Sequence, residues 1–495
     1  MRYGSSARVA LLLAIAPTLG FAQSEEDALR TASQQPGGTA RSNGLGNAFG
    51  AVGADPASIS INPAGLALYR SSSLSMSLGL EVGSDRSQHY GGTSSATSAK
   101  VTIPNMALVL RTAGKGRGGF KGAAYGLVYD RIASHHVRTD ALADRVPGTM
   151  LTQFVNQASG TPSYSIYDAF PFGAALAWDL FAIDTVPGDT LSYFSGIPAN
   201  GATRQRDLIE SSGATTRTGF FYSANFDDRV YVGGSMNIIG HRYRRTLTHT
   251  EYNLSPTNEI EQIEFQERLQ TAASGFELSL GALFRITERL RAGAAFHSPQ
   301  WMSLNDAYST TMRAGYAGVG AAGDFDQESA SPDGNFAYRL SAPWRAVVSA
   351  AYVAGSNGLV SVDYEYTDAT RMRYRRSATL DDPYDFELEN LAIRSRFVPQ
   401  HSVRVGTEWR FSNWYYRAGW GFVSDPYRAG DILRGQARRN YAAGLGYRGE
   451  HITVDFSANY AVQGVRYQAY ASELVDAVVI DRGRFGAMIT VALRP

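Results

Sequence analysis

The sequence predicts an all-β fold, a transmembrane antiparallel β-barrel of fourteen strands with an N-terminal hatch inside it, and three observations carry that prediction. From Ser73 to the C-terminus apolar and polar residues alternate with period two, the pattern of strands whose two faces meet different surroundings. Along the apolar faces, rings stand at the ends and small aliphatic residues in the middle. Ahead of these strands, residues 41–70 (RSNGLGNAFGAVGADPASISINPAGLALYR) are apolar but broken throughout by Gly and Pro, so they have no period of their own and need a container.

The alternation is clearest in the second half. Trp344, Ala346, Val348, Ala350 and Tyr352 share one face, with Arg345, Val347, Ser349 and Ala351 on the other; Val360, Val362, Tyr364 and Tyr366 oppose Ser361, Asp363 and Glu365. Ile452, Val454, Phe456, Ala458 and Tyr460 likewise oppose Thr453, Asp455, Ser457 and Asn459. A soluble sandwich alternates too, so the placement of the rings decides. Trp344 and Tyr352, Trp414 and Trp420, and Tyr441 and Tyr447 each bracket smaller residues. Six to eight residues at roughly 3.3 Å each give about 20 to 26 Å, close to an apolar band about 25 Å tall with an aromatic girdle at each rim. A sandwich core would want its bulk in the middle.

Fourteen alternating runs begin near Ser73, Lys100, Gly119, Arg204, Arg229, Glu261, Arg289, Asn335, Gly358, Ala392, Asn413, Arg438, Glu450 and Val479. Short and long connections alternate between them, as in a barrel with tight turns at one end and loops at the other. Closure would also leave no strand edge unpaired in lipid.

Composition agrees. The chain has 51 Gly, 28 Tyr and 23 Phe among 495 residues, which suits many strands, tight turns and interfacial rings. With 46 basic against 45 acidic residues it lacks the cationic excess of a nucleic-acid binder. The absence of Cys removes disulfides, thiolate metal sites and Cys nucleophiles. Residues 1–22 read as a signal peptide, with Arg2 and Arg8 before the apolar run and cleavage expected after Ala22. No later apolar run is long enough to cross a bilayer as a helix. Residues 23–72 then form the N-terminal extension and hatch, with 23–36 as an exposed start, and residues 73–495 form the barrel.

Asn62-Pro63-Ala64, set in SISINPAGLALYR and preceded by GLGNAFGAVGAD, resembles the FadL/TodX family of outer-membrane transporters for long-chain fatty acids and other hydrophobic compounds. AGAAFHSPQW (292–301), SAPWRAVVSAAYVAGSNGLVSVDYEY and HSVRVGTEWRF extend the likeness over nearly the whole mature chain. The resemblance implies a barrel of fourteen strands in the bacterial outer membrane, the Asn62-Pro63-Ala64 triplet marking the hatch. It also implies a monomer inserted by the barrel-assembly machinery among outer-membrane lipids. Such barrels usually end on an aromatic residue, whereas this chain ends Val491-Ala492-Leu493-Arg494-Pro495.

Two stretches are candidates for ligand handling. The long connection 135–202 contains IYDAFPFGAALAWDLFAIDTV, whose Phe170, Phe172, Leu176, Trp178 and Phe181 are too apolar for an ordinary solvated loop. They either capture an apolar ligand at the outer mouth or pack against neighbouring loops. Pro104 removes a ladder donor from the second strand, and Gly122 and Gly126 stand on the third, together favouring a kink or bulge. In the family such a kink opens a lateral gap for ligand; the small residues alternatively make room for the hatch. Inward Arg291, Arg345, Arg404, Glu408, Arg417 and Asp455 either orient a carboxylate or form a structural ion network.

Enzyme readings find little support. The eight His are scattered, no metal-ligand spacing or nucleophile motif occurs, and GLGNAFG lacks the strand before and helix after that a dinucleotide site needs. An acidic loop at Asp381, Asp382, Asp385 and Glu387 reads as solvated. The expected function is passive inward transport of a hydrophobic small molecule, with no catalytic residue, metal or cofactor. A porin-like channel for polar solutes and, behind it, an outer-membrane lipid-modifying enzyme are the alternatives.

Overall fold

The computed structural model describes residues 24–114, 119–254, 259–319, 324–377 and 384–494. The expected signal peptide, together with Asp381 and Asp382, lies outside them.

The barrel wall contains fourteen strands in chain order. These are β1 (Ser73–His89), β2 (Gly92–Thr102 and Asn105–Ala113), β3 (Phe120–Ser134 and Val137–Pro147), β4 (Ala202–Phe226), β5 (Val230–Asn253), β6 (Ile260–Arg285) and β7 (Leu290–His297 and Trp301–Tyr316). They continue with β8 (Gly334–Ser341 and Arg345–Ala354), β9 (Gly358–Asp368 and Arg373–Arg376), β10 (Pro399–Phe411), β11 (Trp414–Val423), β12 (Arg438–Arg448), β13 (Ile452–Tyr467) and β14 (Val478–Leu493). Each pairs antiparallel with the next, and β14 returns to β1 from Leu74↔Leu493 to Gln88↔Val479, closing the wall.

The alternation puts apolar side chains on the outside. Val348 and Tyr352 are 54% and 47% exposed, while Arg345 and Val347 on the opposite face are buried. Val360, Val362 and Tyr364 point out and Ser361 and Asp363 in. A belt of exposed Leu, Val, Ile and Phe edged by Trp301, Trp409, Trp414 and Trp420 suits acyl chains rather than water.

The tenth strand starts later than its pattern indicates. Residues Glu387–Arg396, read as leading into a strand near Ala392, form an α-helix, and β10 begins at Pro399. Leu391, Ile393 and Ser395 mimic alternation, yet the segment also has acidic residues in the first turn and basic ones in the last, which favour a helix. The Asn390 side chain settles it by exchanging hydrogen bonds with the Tyr374 backbone at 2.9 and 3.1 Å.

Residues 24–36, expected to be an exposed start, are instead largely covered by the barrel. Glu25–Ala32 is a helix capped by Ser24, whose side chain accepts from Asp27 N while the Asp27 carboxylate returns to Ser24 N. Asp27, Ala28 and Thr31 are buried, the Arg30 guanidinium lies 3.7 Å from the Tyr243 ring centre on β5, and Tyr374 on β9 donates to the Ser24 carbonyl at 2.8 Å. Its polarity suited water in sequence; here it meets the polar inner wall.

Residues 40–68 fill the lower lumen as short helices, Ala40–Gly44, Ser58–Ile61 and a 3-10 turn at Pro63–Leu68. Ala40 N donates to Thr490 on β14, Phe49 N and Gly50 N to Asp363 on β9, and Ser60 Oγ to Asp130 on β3. These partners lie on opposite sides of the barrel, so the segment is enclosed. At Gly419 on β11 a Cβ would come within 2.1 Å of Gly46 N, so the wall has no side chain where the hatch backbone presses against it.

Candidate functional site

The Asn62-Pro63-Ala64 triplet anchors the hatch. The Asn62 side chain accepts from Ala64 N at 3.2 Å, capping the 3-10 turn that Pro63 begins, and donates to the Gly50 carbonyl at 2.9 Å and to Ala282 O on β6 at 3.1 Å. Ser223 on β4 donates to the Pro63 carbonyl at 2.8 Å. One amide thus ties two turns of the hatch to each other and to the wall.

Lower in the lumen the charges balance. Arg41 and Arg417 both bond Glu408, at 3.0 and 2.6 Å, and Arg417 also bonds Asp455 at 2.7 Å, with Arg417 fully buried. This is the structural ion network foreseen for Glu408, Arg417 and Asp455, extended to the hatch through Arg41. Within the hatch, Asp55 accepts from Thr39 Oγ1 at 2.8 and 3.0 Å and from Ala57 N at 2.9 Å, and burial pushes its carboxyl up to about 6.

Above this floor lies a cavity of about 640 Å³ between the N-terminal segment and the wall. Arg345 and Arg404 line it and share one carboxylate, Glu365, at 3.4 and 2.6 Å. Arg345 Nη2 and Arg404 Nη1 are buried without a hydrogen-bond partner among the described residues. Arg482 and Arg484, also lining, share Asp85 at 2.8 and 3.9 Å, and Arg438 faces the same space with no ion pair among the described residues. The cavity is therefore cationic in excess.

The cavity reaches a break in the wall. Below Pro104, β2 and β3 pair regularly, Asn105–Ala113 against Gly122–Asp130. Above it, no ladder joins the upper halves of β2 and β3 among the described residues. They touch through Arg131 N donating to the Pro104 carbonyl at 2.8 Å and through Ser94, whose hydroxyl donates to Asp140 O and accepts from Leu142 N. Ser98, Thr102 and Pro104 line the cavity from one bank, Arg131, Ser134 and His135 from the other. On β3 the register shifts between Phe120 and Gly122 and again between Arg131 and Ala133, the second at the level of the break. The N-terminal segment crosses the inner side here, Gln35 N donating to the Ile132 carbonyl at 2.8 Å.

Of the three residues expected at a lateral opening, Pro104 lies on its lip. Gly122 and Gly126 lie below it, inside the paired ladder, with φ of +151° and +159°. A Cβ on Gly126 would come 1.9 Å from the Leu108 carbonyl oxygen, so these glycines allow the bend rather than line the gap.

The apolar loop divides. Leu176 is buried in a cluster with Phe154, Ile263, Phe265 and Met312, and Phe170 and Trp178 pack against it. The Phe172 ring meets Tyr308 at 4.9 Å and Trp178 meets Tyr193 at 5.9 Å. Phe181 alone of the five is largely exposed, at 70%, with Tyr164, Tyr167 and Phe194 also exposed on the same loop. Leu176, Phe170 and Trp178 therefore pack into a core that the loop shares with β6 and β7, and Phe172 packs on β7. The cationic excess and the unpaired stretch of wall were not legible in sequence, because each depends on what lies opposite.

No protein-family model and no curated protein matches the chain. Among solved structures it is similar to a Pseudomonas aeruginosa FadL homologue, at 13% identity over 93% of this chain and 98% of that one, with a TM-score of 0.53. It is also similar to the P. putida toluene transporter TodX, at 10% identity over 93% and 99%, with a TM-score of 0.52. The chain has the FadL/TodX fold. At these identities the likeness extends to architecture alone.

Proposed function

We propose that the protein is a passive transporter of the bacterial outer membrane that carries hydrophobic small molecules such as long-chain fatty acids inward. The observation that carries this reading is the cavity that meets a stretch of wall without backbone pairing. A ligand caught at the exposed rings around Phe181 would settle in the cavity, a small movement of the segment at Gln35 would uncover the break, and ligand would leave sideways into the bilayer. The excess arginines favour a ligand whose apolar body carries a carboxylate, since a guanidinium without a buried partner gains most from an anion. The similarity to a FadL homologue and a toluene transporter supports the hydrophobic class.

Thr102→Trp together with Ala133→Trp would fill the break from both banks. Oleate uptake by cells carrying this variant should fall about tenfold, equivalent to about 1.4 kcal/mol, with normal heat-modifiable migration of the barrel; unchanged uptake would sink lateral release. The charged lining also suits a porin-like channel for polar solutes. Steady ion conductance by reconstituted protein, without stabilisation by oleate, would replace the transporter reading with that one.

A further inference from the structure

The outward surface is aliphatic and aromatic over the height of the belt and turns basic just above its outer rim. Trp301 on β7, 47% exposed and stacked on Phe276 at 6.4 Å, marks that rim. Trp301 stands in register with Ser341 on β8, and Ser341 with Arg373 on β9. One outward position further from the short turns, Ser303 is in register with Arg339 and Arg339 with Arg375. All three arginines are exposed, and on β5 the exposed Arg242 and Arg244 continue the basic band.

Arg339 and Arg375 thus face each other directly across a ladder. Like charges so placed oppose strand pairing unless an anion lies between them. Arg339 Nε donates to the Arg376 carbonyl at 2.8 Å. Among the described residues no carboxylate forms an ion pair with Arg339, Arg373 or Arg375. Neighbouring cations do have such partners: Arg371 pairs with Asp368 at 3.0 Å and Arg313 with Glu328 at 2.6 Å. Among the described residues these three arginines therefore have no paired carboxylate, whereas Arg371 and Arg313 do.

We propose that Arg339, Arg373 and Arg375 form a docking surface for the phosphorylated headgroup of the outer-leaflet glycolipid, its acyl chains lying on the belt beneath Trp301. Guanidinium groups present forked donors that match phosphate oxygens, and three of them within two register rows suit a multiply charged headgroup. Position selects the lipid over a free anion: a headgroup phosphate must sit just beyond the acyl chains, and that is where these side chains emerge. The surface would order lipid around the loop-bearing end of the barrel. It rests on the outer-membrane reading above and adds a partner on the opposite face of the wall from the lumen.

The full-length protein, folded into vesicles containing bisphosphorylated lipid A, should retain that lipid through detergent extraction, as read by native mass spectrometry. Retention should drop at least tenfold in Arg339→Ser/Arg373→Ser/Arg375→Ser, equivalent to the loss of about one charge-assisted hydrogen bond, and should recover in part when the same positions carry Lys. Wild-type protein should lose lipid A equally when its phosphates are removed. Undiminished retention by the Ser variant, equal retention of the dephosphorylated lipid, or displacement of lipid A by millimolar inorganic phosphate would each overturn the proposal. Heat-modifiable migration and oleate-dependent thermal stabilisation report on the wall and the lumen. If both persist while lipid retention does not depend on the arginines, the docking surface fails and the transport reading stands.

Discussion

Beneath the cavity, Arg41 and Arg417 meet Glu408 and Asp455; around it, Arg345, Arg404, Arg438, Arg482 and Arg484 meet only Glu365 and Asp85 among the described residues. Apart from Arg41, which the enclosed segment supplies, both sets point into one lumen from the wall strands, so the difference is one of balance. A matched network holds its members in place, because each lost partner would strand a buried charge, even though Arg417 Nη2 has no hydrogen-bond partner among the described residues. An unmatched set surrounds the cavity with more guanidinium groups than carboxylates, and an anionic ligand would gain most there.

The comparison breaks most readily from the floor. Arg417→Met should destabilise the barrel by about 3–5 kcal/mol, since it strands both Glu408 and Asp455; urea midpoints of vesicle-inserted protein would measure it. A variant as stable as wild type would mean that the floor is solvated and the contrast unreal.

Asp55, inside the hatch, has the next largest effect. Its folded value of about 6 lies above its ordinary 3.8, so the folded chain holds the proton more tightly than the unfolded one. The stability this contributes is present below about pH 4 and is lost as pH rises to about 6, by an order of 2–3 kcal/mol, then stays level. Hydrogen exchange of hatch amides, corrected for intrinsic rates, should therefore quicken between pH 4 and 6.5. Asp55→Asn should abolish the dependence.

In the cavity the outcome should reverse. Arg438→Met removes no ion pair, so stability should stay within about 0.5 kcal/mol of wild type, while affinity for oleate should fall about tenfold relative to a neutral alkane of similar length. Equal losses for both ligands would show that the arginine serves the wall and not a carboxylate. The smallest effect belongs to Phe181: Phe181→Ser should leave the unfolding midpoint unchanged and slow uptake a few-fold. Leu176→Ser, in the core the loop shares with β6 and β7, should cost about 2–5 kcal/mol of local stability.

Much of this was legible beforehand. Val360-Ser361-Val362-Asp363 announces a wall strand because side-chain direction alternates whatever the neighbours are. The Gly- and Pro-broken run around Asn62 announces a plug because it cannot sustain an element of its own. Glu387–Arg396 misled because its ten residues carry strand-like alternation at Leu391, Ile393 and Ser395 within a helix, and a contact from Asn390 to Tyr374 decided between them. The loop rings misled in another way, since apolar composition signals burial without saying what does the burying.

What the chain determined by itself was period: two along each strand, none in the hatch, and hence a closed wall around an enclosed segment. The tertiary structure alone decided which arginine found a carboxylate, where β2 and β3 part above Pro104, and which loop rings remained in contact with solvent. Alternation is a property of consecutive residues and survives in the sequence. Pairing across a lumen or a ladder joins residues far apart in the chain, and no local pattern records who stands opposite.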